Sequence, residues 1–284
     1  MSFKLTHNAY GKSRVRLTKV VRNDPRHTLF EIDAAIQLEG EFDAAYTAGD
    51  NSKLIATDSM KNTVYVLAKE NDFASIEEFS QILVDHFVNK YGQVTTATAE
   101  LRQASWLRMT PGGQEHDHAF IAGPATERYA KAVAAKRMTN KLTGGVRGLK
   151  VLKTTDSQWH TFVTDRYRTL KDSFDRILST QVDADWTFNT LAADFDAATK
   201  TIHTAILDAF AGHFSLGVQQ TIQAMGEAAL SACPLIDDIN FTLPNLHRIP
   251  FNLEPFGLKF ENDIYVATDE PHGMIHGTIT REKQ

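Results

Sequence analysis

The stretch FEIDAAIQL, Phe30 to Leu38, alternates apolar and polar residues along most of its length. Phe30, Ile32, Ala34, Ile36 and Leu38 fall on one side of an extended chain, with Glu31, Asp33 and Gln37 on the other. A period of two marks a strand with one buried and one wet face. Upstream the pattern is extended from Leu5 to about Val21, and Asn23-Asp24-Pro25 is a turn signal, so the two strands are expected to form a long hairpin.

Beyond Leu38 the period changes. A helix is expected from near Asp58, a candidate N-cap, with Met60, Val64 and Leu67 on one face. Ser75 and Glu78 form a capping box for a second helix carrying Ile76, Phe79, Ile82, Leu83 and Phe87, with Gly92 as its stop. Extended segments return at Val94 to Arg108 and His116 to Ile121. The second half repeats the order: strands at Leu149 to Thr154 and Thr180 to Phe188, helices at Asp194 to Gly212 and Val218 to Ser231, and strands after Ile236 and near Met274 to Ile279. GPATERYAKAVAAKRMTN, Gly123 to Asn140, reads as a basic, exposed segment, and Thr143-Gly144-Gly145 as a turn between the halves. The expectation is an α+β chain of two ββααββ units, 1–142 and 143–284. Each unit would expose the edges of a four-stranded antiparallel sheet, a liability removed by pairing with neighbours into a barrel, so an oligomer is favoured.

Composition narrows the function. The chain has 284 residues, 42% hydrophobic and 23% charged, as in a globular protein. A net charge of -5 gives no basic surplus for nucleic acid. The single cysteine, Cys233, fits a reducing compartment. No apolar run has transmembrane length, and MSFKLTHNAYGK lacks the core of a secretory signal, so neither membrane nor export is expected.

Five clusters carry candidate chemistry. GLKVLKTTDSQWHTFVTDRYRTLKDSFDR, Gly148 to Arg176, runs from a strand into Trp159, Phe162 and Tyr167 and ends on Arg176, whose planar fork suits one edge of a flat anion. In Tyr10-Gly11-Lys12-Ser13-Arg14-Val15-Arg16 a strand would put Lys12, Arg14 and Arg16 on one face; a lysine among cations is a candidate base, though a solvated strand edge has the same pattern. Thr57 and Asp58 are helix-start residues whose hydroxyl and amides can also face a ligand. Val218-Gln219 opens a helix, and the glutamine amide offers both donors and an acceptor. In Leu243-Pro244-Asn245-Leu246-His247, Asn245 and His247 share one side of an extended segment. His116 and His118 would point the same way on a strand, but no further ligands follow at a zinc-like spacing, so a structural pair is expected.

Taken in order, YGK-x-R-V-R, TD-x-x-KNT, the KTT-x-S-to-Arg176 stretch, Val218-Gln219 and LPN-x-H closely resemble the urate oxidases, with Trp159 where that family usually has phenylalanine. The resemblance implies two tandem tunnelling-fold units per chain, a homotetramer around a channel with active sites at subunit interfaces, and oxidation of urate by dioxygen to 5-hydroxyisourate and hydrogen peroxide without cofactor or metal. It further implies proton transfer by Lys12, Thr57 and His247, and substrate contacts from Thr57, Asp58, Trp159, Arg176, Val218, Gln219 and Asn245. Dioxygen or water would sit at Thr57 and Asn245. The chain ends Arg281-Glu282-Lys283-Gln284, not the peroxisomal tripeptide of many eukaryotic relatives, so bacterial cytoplasm is the expected location. Two rivals stand beside this: a metal-dependent tunnelling-fold enzyme using His116 and His118, and a purine-binding oligomer without catalysis.

Overall fold

The computed structural model describes residues 3–22, 25–136, 140–268 and 270–282. It divides into two compact units, 1–145 with 187–196, and 146–186 with 197–284.

In the first unit β1 (Tyr10–Arg22) and β2 (His27–Gly40) form the expected antiparallel hairpin; Asn23 and Asp24 of its turn lie outside the described residues. A short α1 (Asp43–Thr47) precedes α2 (Thr57–Glu70) and α3 (Ile76–Lys90). Then come β3 (Val94–Gln103), β4 (Trp106–Arg108), β5 (Phe120–Ala122) and β6 (Glu127–Ala135). The sheet order is β1-β2-β3-β6, with β4 and β5 paired separately. Phe30, Ile32, Ala34, Ile36 and Leu38 are buried as the alternation requires, and so are Met60, Val64 and Leu67 of α2 and Ile76, Phe79, Leu83 and Phe87 of α3. Ser75 caps α3 by accepting from the Glu78 amide at 3.2 Å, while the Glu78 carboxylate reaches back to the Ala74 amide at 2.8 Å.

Five expectations differ from the structure, four of them in the first unit. The segment 123–140 is not an exposed basic stretch. It contains β6, in which Tyr129, Ala130, Ala132 and Ala134 are buried and Arg128 pairs with the fully buried Glu77 at 2.7 Å; 137–139 lie outside the described residues. His116 and His118 are not on a strand but in a bend, their rings edge to face at 4.5 Å. Asp58 is not a cap: α2 starts at Thr57, and the preceding Ala56 has no side chain to bond its open amides.

The fourth concerns the first strand. Lys12 opposes Ile36 and Val15 opposes Ala34, so Ser13 and Arg14 together face one partner residue, a β-bulge with Arg14 at φ 61°. The extra residue reverses the alternation. Lys12 is half-buried on the side of Val15 and Leu17, whereas Arg14 and Arg16 are exposed and both reach Asp33 at 3.3 Å. The three cations therefore do not share a face.

The second unit holds most of β7 (Lys141–Lys153), β8 (Leu178–Phe188) and α4 (Phe195–Gly212), and all of α5 (Val218–Ala232), β9 (Ile236–Pro244), β10 (Arg248–Pro250), β11 (Tyr265–Ala267) and β12 (Met274–Thr280). Its sheet order is β7-β8-β9-β12, and β10 pairs with β11. Thr143-Gly144-Gly145 lies inside β7 and is not a turn. The architecture is α+β, antiparallel strands with a pair of long helices in each half of the chain. Among the described residues no helix is long and apolar enough to cross a membrane.

Candidate active site

The segment after β7 is pinned back on itself by backbone bonds. Trp159 and Ser173 exchange amide hydrogen bonds at 2.8 and 2.9 Å, and the Arg176 amide donates to the Ser157 carbonyl at 2.9 Å. The Gln158 amide donates to the Ser215 carbonyl at 2.7 Å, and the Ser215 amide to the Asp156 carbonyl at 2.9 Å. Together these bonds bring Trp159, Arg176 and the first turn of α5 to one place, although they lie far apart in sequence.

A cavity of about 570 Å³ opens there, and Trp159, Arg176, Val218, Gln219, Asn245 and His247 all line it. That volume falls within the range of roughly 300–1,000 Å³ usual for small-molecule sites. Asn245 is fixed by its amide, which donates to the Gly273 carbonyl at 2.8 Å, and by a bridge to Thr180; the Leu246 amide donates to Ser179 at 2.9 Å. His247 follows at the spacing that returns it to the same wall.

The polar groups of this wall are underused. Arg176 is half-buried, its Nε is sealed from solvent without a hydrogen-bond partner, and burial pulls its pKa below the usual guanidinium range. Among the described residues no carboxylate pairs with it, and its guanidinium carbon lies 5.7 Å from the Trp159 ring centroid. The side chains of Gln219 and Asn245 carry no hydrogen bond among the described residues. Val218 is the first helical residue of α5, after Gly217, which supplies no side-chain cap for the opening amides. A cation, a flat indole and amide groups with donors and acceptors to spare suit a planar anion edged with N–H and C=O groups.

Trp159 rests on Gly217: a Cβ there would stand 3.0 Å from the indole. Phe162 stacks against the Trp159 ring at 5.5 Å, and Arg168 lies 4.1 Å over Phe162. Tyr167, expected in the same aromatic group, is 73% exposed and does not line the cavity. Leu170, Arg248, Tyr265 and Ile275 also line it and were not singled out as site residues. Leu170 had a signal, its place in the Gly148–Arg176 stretch; Ile275 reads as ordinary strand core.

Lys12, Thr57 and Asp58 belong to the first unit. The Tyr10 hydroxyl accepts from the Ile55 amide at 2.7 Å and lies 3.2 Å from the Ile55 carbonyl, tying the strand before Lys12 to the residues before Thr57. At Gly11 a Cβ would meet the Ile36 carbonyl at 1.9 Å, so only glycine fits between Tyr10 and Lys12. Asp58 receives Lys61 at 2.5 Å and Asn62 at 3.1 Å; Lys61, with help from Asn62 and Lys12, holds its carboxyl below the usual range. The side chains of Lys12 and Thr57 make no hydrogen bond among the described residues. No group of three or more His, Cys, Asp or Glu side chains among the described residues is arranged to hold a metal.

The chain matches the uricase family model over residues 8–133 and 142–276. It is 42% identical to a uricase of Arthrobacter globiformis over 278 residues, covering 98% of this chain and 90% of that protein. A uricase of Dictyostelium discoideum is 34% identical, with 98% and 97% covered. The crystal structure of Arthrobacter globiformis uricase superposes with a TM-score of 0.95 at 41% identity, covering 100% of this chain and 97% of that one. With the family model spanning both units and these relatives matching nearly end to end, the chain belongs to the uricase family.

Proposed function

We propose that this chain, an oxidoreductase acting on urate, converts urate, dioxygen and water into 5-hydroxyisourate and hydrogen peroxide with its own side chains and no bound cofactor or metal. The reaction balances. Urate supplies two electrons, dioxygen takes them with two protons to become hydrogen peroxide, and water supplies the new hydroxyl at C5. The observation that carries this reading is Arg176, a cation in the cavity wall with a sealed, unpartnered Nε and no ion pair among the described residues. It asks for an anion.

In this reading Trp159 supports the purine plane, Arg176 and Gln219 grip one edge and the Val218 amide adds a third donor, so that a loose encounter becomes a positioned one. Lys12, Thr57 and His247 pass the protons, Asn245 and Thr57 hold dioxygen and then water over the ring, and Asp58 shapes the Thr57 side. The two sets of residues meet across a subunit interface in a homotetramer whose sheets close into a barrel. Supporting this are open sheet edges and exposed apolar groups at the cavity, Leu170 at 61% and Ile249 at 51%. The testing experiment mixes purified protein with urate in air and follows urate absorbance and peroxide together. One peroxide per urate consumed supports the reaction; urate loss without peroxide overturns it.

A further inference from the structure

Behind the cavity wall lies a buried polar cluster that the proposed chemistry does not use. Thr221, one turn into α5, is fully buried, and its hydroxyl lies 3.0 Å from the His213 Nε2, 2.8 Å from the Ser215 hydroxyl and 3.2 Å from the Gly217 carbonyl. Ser215, also fully buried, donates to the same Gly217 carbonyl at 3.2 Å. On the far side the Lys153 ammonium donates to the His213 carbonyl and lies 5.8 Å from the Phe210 ring. Burial holds both Lys153 and His213 below their usual pKa values, the Lys153 charge also acting on His213.

These bonds converge on one carbonyl. Gly217 is the seat of the Trp159 indole, and the next residues, Val218 and Gln219, face the cavity. A helix that begins on glycine has no side chain of its own to fix the entry turn; here two hydroxyls and an imidazole fix it from behind. A neutral imidazole protonated at Nε2 donates to Thr221, so the two hydroxyl hydrogens of Ser215 and Thr221 are shared between their own 2.8 Å contact and the Gly217 carbonyl.

We propose that Thr221, held by His213 and Ser215 and braced by Lys153, is a positioning residue for urate: it sets the turn that aims the Val218 amide and the Gln219 side chain and seats Trp159. It touches no substrate. The proposal rests on the reading of Gln219 as a substrate contact, so its test carries a control for that reading.

The test compares Thr221→Val, which keeps the shape and loses the hydroxyl, with Thr221→Ser, which keeps the hydroxyl, and with Gln219→Ala, each as the full-length oligomer. Thr221→Val is expected to raise the KM for urate about tenfold, the effect of losing one buried hydrogen bond, with kcat within about twofold. Thr221→Ser restores the parent KM. A Thr221→Val protein with parental KM overturns the proposal if Gln219→Ala raises KM, and parental KM in Gln219→Ala overturns the substrate-contact reading and the proposal together. A loss of kcat and thermal midpoint in step, with KM unchanged, assigns Thr221 to folding alone and also overturns it. Should Thr221→Val not fold, Lys153→Met, at the less buried end of the cluster, is read by the same split, and a parental KM there is the refuting result.

Discussion

Arg176→Met separates the cost of holding an unpaired cation from its use in binding. In the free chain the guanidinium is half-buried, makes no ion pair among the described residues and leaves Nε unbonded, so the fold gains little from its charge. Methionine keeps the apolar stem, and the Arg176 amide still donates to Ser157. Without ligand the thermal midpoint is therefore expected to hold or rise, as happens when a functional residue strained by its site is replaced. Binding behaves in the opposite way. Removing a charged donor pair from a desolvated anion costs about 2–4 kcal/mol, so the KM for urate is expected to rise by about 30- to 700-fold. Arg176→Lys keeps the charge without the fork and is expected to fall between. Steady-state urate consumption and thermal unfolding of the same preparations give both numbers. A KM within threefold of the parent, or a midpoint several degrees lower with binding intact, would refute the reasoning.

Lys12→Met is expected to lower kcat by about 10²–10⁴-fold, the range for a positioned acid–base group, and a parental rate under saturating urate removes Lys12 from the proton path. Gly217→Ala puts a Cβ 3.0 Å from Trp159 and is expected to raise KM severalfold, with Trp159→Phe in the same chain relieving part of the rise; equal KM values in the single and double variants contradict the contact. Arg128→Leu leaves the fully buried Glu77 carboxylate without its partner and is expected to cost about 3–5 kcal/mol in denaturant unfolding, an effect that vanishes if the pair is dispensable. Burial holds His86, His203 and His213 below 6.5, so as pH falls the unfolded chain takes up those protons first. Stability present above pH 6.5 is then expected to decline as pH drops, and a midpoint that climbs between pH 7.5 and 5.5 would contradict the sign.

The hairpin and the paired helices were legible because period and capping are local properties: the Phe30–Leu38 alternation and the Ser75–Glu78 box needed no partner to be read. The bulge at Ser13 and Arg14 was not, since it is decided by how β1 pairs with β2 and by Asp33 collecting two arginines. β6 was hidden by its composition. Its buried face is largely alanine, while Arg128 and Lys131 gave a basic look that Glu77 and Glu100 neutralise from neighbouring elements. At the site, residue chemistry alone made Arg176 and Gln219 plausible, but nothing local could bring them together. The backbone bonds from Gln158 and Ser215 do that, and only the resemblance across separated motifs anticipated it.

The central claim is that the cavity beside Arg176 is where urate sits, and a crystal structure with a non-oxidisable planar oxopurine such as xanthine tests it most directly. The expected ligand lies over Trp159, with one polar edge within hydrogen-bond distance of the Arg176 guanidinium, the Gln219 amide and the Val218 amide. A ligand bound elsewhere on the chain, with that wall unoccupied at saturating concentration, would contradict it.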